Sequence, residues 1–219
     1  MNKLELPKSK YLIHRQIEIK NLSAFFVTLK KEKTDIPIRL ANGEENTIRV
    51  THDQAGNMFF IFENCLNGQF PMNRDATNAG GWERSTMRAF LNGRLAKQLS
   101  EDLLKSIEPI SIEQETPWDK TCVKSCDKLF LLSEEQVFGK NKYSKPEKGT
   151  SQLRIFEISK ECRKKSWNRS PTWWWLRSPY ESSSFNFALV YSDGSVNYNG
   201  ANYTGGVVPG FCLIEPKKI

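Results

Sequence analysis

Residues 171–216 place the tightest limit on what this chain can fold into. PTWWWLRSP (171–179) is a dense aromatic run whose one charge is Arg177, and VVPGFCLIEP (207–216) is strongly apolar. Such runs must be shielded from water, so both read as strands against a core, with Arg177 paired to a carboxylate such as Glu83 or Glu157. Consecutive Trp173, Trp174 and Trp175 on a strand point alternately, which sends at least one ring to the core and leaves another for an exposed face.

Between the two runs, SSSFNFALVYSDGSVNYNGANYTGG (182–206) carries one charge, Asp193. Phe185–Tyr191 reads as a strand and Ser192-Asp193-Gly194-Ser195 as the turn of a hairpin. Tyr supplies broad amphipathic contact area, while Ser, Gly and Asn supply adaptable hydrogen bonding, the palette of antibody binding loops. Lys, Glu, Gln, Met and Trp make up 56 of the 219 residues, yet none occurs here, where the chain-wide rate would place about six. Those five are the residues an AAC codon cannot reach by changing only its adenines. The stretch therefore reads as a recognition surface, with candidate contacts Ser184, Asn186, Tyr191, Asn197, Tyr198, Asn199, Asn202 and Tyr203.

The rest of the chain alternates strand and helix signals. KYLIHRQIEI (10–19) suggests an edge strand in a polar arm over residues 1–22. SAFFVTL (23–29), TIRV (47–50) and MFFIFEN (58–64) suggest strands, with Asn42-Gly43 as a tight turn. Met87, Phe90, Leu91, Leu95 and Leu99 fall on one helical face, with Ser85 as N-cap and Asn92-Gly93 as a break. Arg88 fits a helix-face hydrogen bond. A second helix starts at Ser100, carrying Glu101 and Asp102 in its first turn, and ends before Pro109. DKLFLL (127–132) suggests a strand, Ser133–Gln136 has capping-box form and Gly139 ends that helix. Residues 140–152 read as a charged, mobile loop, and 154–165 as a helix of one or two turns. The class is α+β, and 219 residues with thirteen Phe and six Trp are enough for one sizeable core.

Charge and cysteines narrow the function. The net charge of +7 comes from clusters at 30–33, 140–148, 162–165 and 216–218 that do not interleave with aromatics. They read as solvated surface, so nucleic acid is not expected as a partner. Five cysteines, Cys65, Cys122, Cys126, Cys162 and Cys212, with no secretion signal suggest free thiols. Cys122 and Cys126 are spaced by three residues, and only His14 and His52 could join them, so no metal is expected. No calcium-ligand cluster stands near the hairpin. No apolar run is long enough to span a membrane, and a cytoplasmic or phage-associated location is expected.

Four segments in order, GGWERSTMRAFLNG (80–93), DKLFLLSEEQVFG (127–139), TWWWLRSP (172–179) and GGVVPGFCLI (205–214), resemble an uncharacterised bacterial and phage domain family. Its marks are S-x-x-R-x-x-L-N, F-L-L-S-x-x-E-V-F, W-W-L-R-S-P and a terminal G-V-R-P-A. The last appears here as Gly206-Val207-Val208-Pro209-Gly210, without the arginine. The resemblance implies a C-type-lectin fold of the formylglycine-generating-enzyme-like variant, with two or more short helices packed on a small antiparallel sheet. One such domain would span residues 23–219. It also resembles the variable proteins of diversity-generating retroelements, in which adenine-directed mutagenesis rewrites a C-terminal segment, here residues 180–206. The function this implies is non-enzymatic ligand binding, without a cofactor, to a protein or cell-surface ligand; the oligomeric state is open. The alternatives are a relative of the formylglycine-generating oxidases, which need a reactive thiol pair, and a non-diversified phage or bacterial assembly domain.

Overall fold

MFFIF has no polar residue to turn outward, so it is satisfied only as a strand covered on both faces. In the computed structural model, which describes residues 35–118 and 120–214, it forms β3 (Met58–Phe62), buried at all five positions. It is the central strand of a five-stranded antiparallel sheet ordered β1 (Ile36–Arg39), β2 (Glu45–His52), β3, β12 (Gly210–Leu213) and β4 (Ile107–Glu108). Phe60 and Phe211 lie opposite each other across β3 and β12 and stack with ring centroids 5.3 Å apart. The expected strands at 10–19 and 23–29, and the arm over 1–22, lie outside the described residues.

A second antiparallel sheet carries the C-terminal segment, in the order β11 (Val196–Gly200), β10 (Asn186–Val190) and β9 (Trp174–Pro179). Two hairpins complete the sheets: β5 (Ile110–Glu115) with β6 (Cys122–Asp127), and β7 (Lys165–Trp167) with β8 (Ser170–Thr172). The helices are short: α1 (Thr86–Phe90), α2 (Glu101–Ser106), α3 (Glu134–Phe138) and α4 (Arg154–Ile158). The architecture is mixed helix and sheet, built mostly of small antiparallel sheets, and the buried apolar side chains form one continuous cluster.

The caps read from the sequence are present. Ser85 accepts from the Arg88 N–H, Ser100 from the Leu103 N–H, and Ser133 and Gln136 close a capping box on α3. Gly139 ends α3 in the left-handed region at φ 72°, where a Cβ would be strained.

Several expectations are corrected, each because a side chain satisfies backbone that a regular element would have served. Asn92-Gly93 does not break the first helix, which runs on through a π turn (Leu91–Leu95) and a 3-10 turn (Ala96–Gln98). Asn92 instead reaches across to the next layer. Its Nδ2 donates to the Leu129 carbonyl at 2.8 Å, and its Oδ1 accepts the N–H groups of Lys128 and Leu129. For the same reason residues 128–132 form no strand. Phe130 makes one isolated bridge to Gly210, while the Leu131 carbonyl goes to the Arg177 side chain and the Leu132 carbonyl to the Arg177 N–H.

The aromatic run splits at Trp173, between β8 and β9. Trp174 and Trp175 are both fully buried, and their indole N–H groups donate to the Arg163 and Phe70 carbonyls. Trp173 is half-buried, edge-on to Trp175 at 4.8 Å. Arg177 pairs with neither Glu83 nor Glu157. Its partner is Glu147, with Nε 2.8 Å from Oε2 and both side chains almost fully buried. Glu147 comes from the charged loop over 140–152, which the structure shows wrapped onto the protein. The fully buried Glu134 carboxylate collects the N–H groups of Lys142, Tyr143 and Ser144 there, together with the Ser144 hydroxyl.

One buried cation sits less comfortably. Lys165 is buried in the core with its Nζ 3.6 Å from Glu63 and no hydrogen-bond partner among the described residues. Burial lowers its pKa, opposed by the Glu63 charge. Between that lowered value and the ordinary lysine value the unfolded chain holds the extra proton, so this group makes stability rise with pH across that window. Lys165→Met is expected to stabilise the fold by about 1–2 kcal/mol at neutral pH. That advantage shrinks as pH rises toward the ordinary lysine range. Urea titrations of both proteins at two pH values read the difference directly; a Met variant less stable than its parent at neutral pH would contradict it.

Candidate ligand-binding face

The hairpin β10–β11 is closed by the expected turn. Tyr191 N–H donates to the Ser195 carbonyl at 2.7 Å, and Gly194 takes φ +85°. Asp193 is a turn residue. Its Oδ1 accepts from the Ser195 hydroxyl and N–H, and those bonds hold its carboxyl below the ordinary aspartate value.

The two strands differ sharply in burial. β10 is central in its sheet, and Phe187, Ala188, Leu189 and Val190 are all buried. β11 is the edge strand and no residue of it is buried. Among the described residues seven large hydrophobic side chains are exposed, and four of them, Phe185 (57%), Tyr191 (47%), Tyr198 (41%) and Tyr203 (60%), lie on this hairpin and its flanks. Their rings meet water in a part of the chain whose neighbouring strands are core.

Strand alternation divides the candidate contacts. Ala188 stands opposite Tyr198 and Asn186 opposite Gly200, so Tyr198, Gly200 and Asn186 share one face. The Tyr203 ring covers Gly200 on that face, so close that a Cβ on Gly200 would lie 3.1 Å from it. Asn186, Tyr198, exposed Asn202 and Tyr203 are therefore brought together. Tyr191 is not; it stands at the turn, about 16 Å along the strand from Gly200. Ser184 is half-buried in the preceding loop, its carbonyl accepting from the Asn78 N–H.

Asn197 and Asn199 face the other way, opposite Leu189 and Phe187. Ala201 N–H bonds the Phe185 carbonyl and Tyr191 N–H bonds the Ser195 carbonyl. In an antiparallel ladder the residues between such pairs alternate, so Tyr198 and Gly200 direct their N–H groups to the free edge. Those two donors go to the Oδ1 atoms of Asn197 and Asn199, each at 2.9 Å. Both asparagines thus cap their own strand edge.

Two members of the face escape the sequence reading. Tyr143 and Tyr180 close a ring cluster with Tyr198, with centroid separations of 4.7–5.2 Å. Lys142 lies 4.8 Å over the Tyr143 ring, and its bond with that side chain holds its ammonium above the ordinary lysine value. Tyr143 stands in a loop with no periodicity, where spacing carries no signal for this contact.

Asn78 is the fastening underneath. It is fully buried, and its Nδ2 donates to the Tyr180, Ser183 and Asn186 carbonyls at 3.1, 2.6 and 2.9 Å. Asn78→Ala strands the Ser183 carbonyl, while those of Tyr180 and Asn186 keep the Ser183 and Tyr180 N–H groups, and is expected to cost about 1–3 kcal/mol. It should also speed amide exchange over residues 180–186 relative to β3. Unchanged exchange there would show that the hairpin base is held by something else.

The remaining chemistry is sparse. All five cysteines are free, and burial, reinforced by Glu108 and Asp53, pushes the Cys212 thiol up to about 12. Burial also pushes the Cys65 thiol up to about 12, against the Lys165 charge. Cys122 and Cys126 are exposed, but four strand rises place their Cα atoms about 13 Å apart, beyond disulfide reach. Among the described residues no group of three or more His, Cys, Asp or Glu could hold a metal ion, and no helix is long and apolar enough to cross a membrane.

The fold and this face define a mixed helix-and-sheet protein that presents an aromatic, amide-rich hairpin. The chain belongs to the family described as Domain of unknown function (DUF6273), whose profile matches residues 55–215. Comparison with curated proteins and with solved structures finds no match.

Proposed function

We propose that this protein is a non-enzymatic ligand-binding protein, a C-type-lectin-like scaffold that displays residues 182–204 to a protein or cell-surface ligand. We further propose that it is a variable protein of a diversity-generating retroelement. The observation that carries the reading is the set of four exposed rings, Phe185, Tyr191, Tyr198 and Tyr203, spread along one hairpin whose strand β10 and its neighbour β9 are core. Exposed tyrosines beside amides bind by shape and adaptable hydrogen bonding and perform no chemistry. Tyr143 extends the face beyond the segment that the sequence marks out, and Tyr180 joins it from the segment's first position.

Two experiments test the proposal. Sequencing the locus should find a near-identical copy of the codons for residues 180–206, differing only at adenines, beside a reverse-transcriptase gene. Its absence would remove the retroelement and leave an assembly or binding domain.

The second experiment is the double variant Tyr198→Ala, Tyr203→Ala. Tyr203 is mostly exposed and Tyr198 is partly so, packed against the Tyr143 and Tyr180 rings, so the stability loss should stay near 1 kcal/mol, a Tm fall of about 2–4 °C. Ligand binding should be abolished. A Tm fall several times larger would make the rings core and overturn the assignment of the face.

A further inference from the structure

A second concavity, of about 590 Å3, lies where β5, the turn 53–57 and the loop 147–150 meet. That volume suits a small organic ligand, and no residue of the hairpin lines it.

Its floor is polar and buried. The Arg177–Glu147 pair lies there, and Gln136, 3% exposed, accepts from Arg177 through Oε1 at 2.9 Å. The capping-box bond from the Ser133 N–H takes the same oxygen. The Gln136 Nε2 group has no partner among the described residues, so the floor presents an unused amide donor.

Met58 and Ile110 contribute apolar wall, and the lining carries the carboxylates of Asp53, Glu108 and Glu113. Lys148 lies 3.8 Å from Glu113 and offsets it. Arg177 offsets Glu147. Asp53 accepts from the N–H and side-chain amide of Asn57, which orient its carboxylate without neutralising it. Among the described residues Asp53 and Glu108 have no cation against them. Both act on the cleft interior, since both raise the Cys212 thiol beyond what burial does.

We propose that this cleft binds a small organic guanidinium that bears a carbonyl a few methylenes away. The cation lies against Asp53 and Glu108, the carbonyl accepts from Gln136 Nε2, and the methylenes between them cover Ile110 and Met58. An anion is repelled by the two carboxylates, and a neutral sugar leaves their charge uncompensated. This site stands independently of the function proposed for the hairpin.

Calorimetric titration of the full chain with L-argininamide tests it, with isosteric but less charged L-citrullinamide and anionic N-acetylglutamate as controls. L-Argininamide should bind one to one with a Kd of about 1 mM or tighter. The citrulline analogue should bind at least tenfold more weakly, and N-acetylglutamate should not bind. Glu108 is exposed, so Glu108→Gln and Glu108→Lys should keep the parental far-UV spectrum and weaken L-argininamide about tenfold or more. Tyr198→Ala with Tyr203→Ala should leave it unchanged. Absence of saturation, equal affinity for the two analogues, an unchanged Kd in both Glu108 variants, or loss in the tyrosine variant would each overturn the proposal.

Discussion

Arg177→Ala is expected to cost about 4 kcal/mol or more, a Tm fall on the order of 10 °C, because every group it holds is buried. Its guanidinium bonds both Glu147 oxygens, the Leu131 carbonyl at 2.5 Å and Gln136 Oε1 at 2.9 Å. Truncation leaves the Glu147 carboxylate in the core with only the Gln114 amide, and orphans a carbonyl in a segment that has no ladder of its own. Much of the loss is the cost of the stranded charge rather than the intrinsic worth of the pair. Arg177→Met combined with Glu147→Gln should therefore recover about half of it. Urea midpoints of the parent, Arg177→Met, Glu147→Gln and the double variant give the coupling. A coupling below about 0.5 kcal/mol would mean that the two side chains do not act as a unit.

Asp127 should be nearly as intolerant. Its carboxylate is fully buried and receives four donors. Trp82 Nε1 and the Ser125 hydroxyl donate to Oδ2, and Arg88 Nε and Asn92 Nδ2 to Oδ1. Asp127→Ala is expected to cost about 3 kcal/mol. Asp127→Asn should cost about as much, because its new NH2 group would face donors where the carboxylate offered an acceptor. The Trp82 near-UV signal should weaken in both. If Asp127→Asn proved as stable as the parent, acceptor capacity at this hub would not matter.

These two hubs show where sequence reading stops. Caps and turns were legible because they are local: Ser85, Ser133 and Gly194 each act on backbone within a few residues. β2, β3 and the hairpin were legible because alternation and β-branched or aromatic content report burial directly. Arg177 was readable as a paired charge, but not its partner. Glu147 lies thirty residues away in a loop whose path is set by the Glu134 carboxylate. Asn92-Gly93 read as a stop because glycine and asparagine usually end helices. The carbonyl that Asn92 serves belongs to another layer. Within the candidate face, pattern identified exposed tyrosines but could not separate Tyr198 and Tyr203 from the asparagines between them.

The edge caps on β11 bear on how freely the hairpin can change. A replacement on the open face, at Tyr198, Asn202 or Tyr203, alters the exposed surface and leaves the backbone donors of the strand served. A replacement at Asn197 or Asn199 removes the oxygen that occupies the next residue's edge N–H. An uncapped outer strand is a template for pairing with another chain. Change at those two positions therefore costs colloidal solubility, and only side chains that can fold back onto the backbone, such as Asp or Ser, escape that cost.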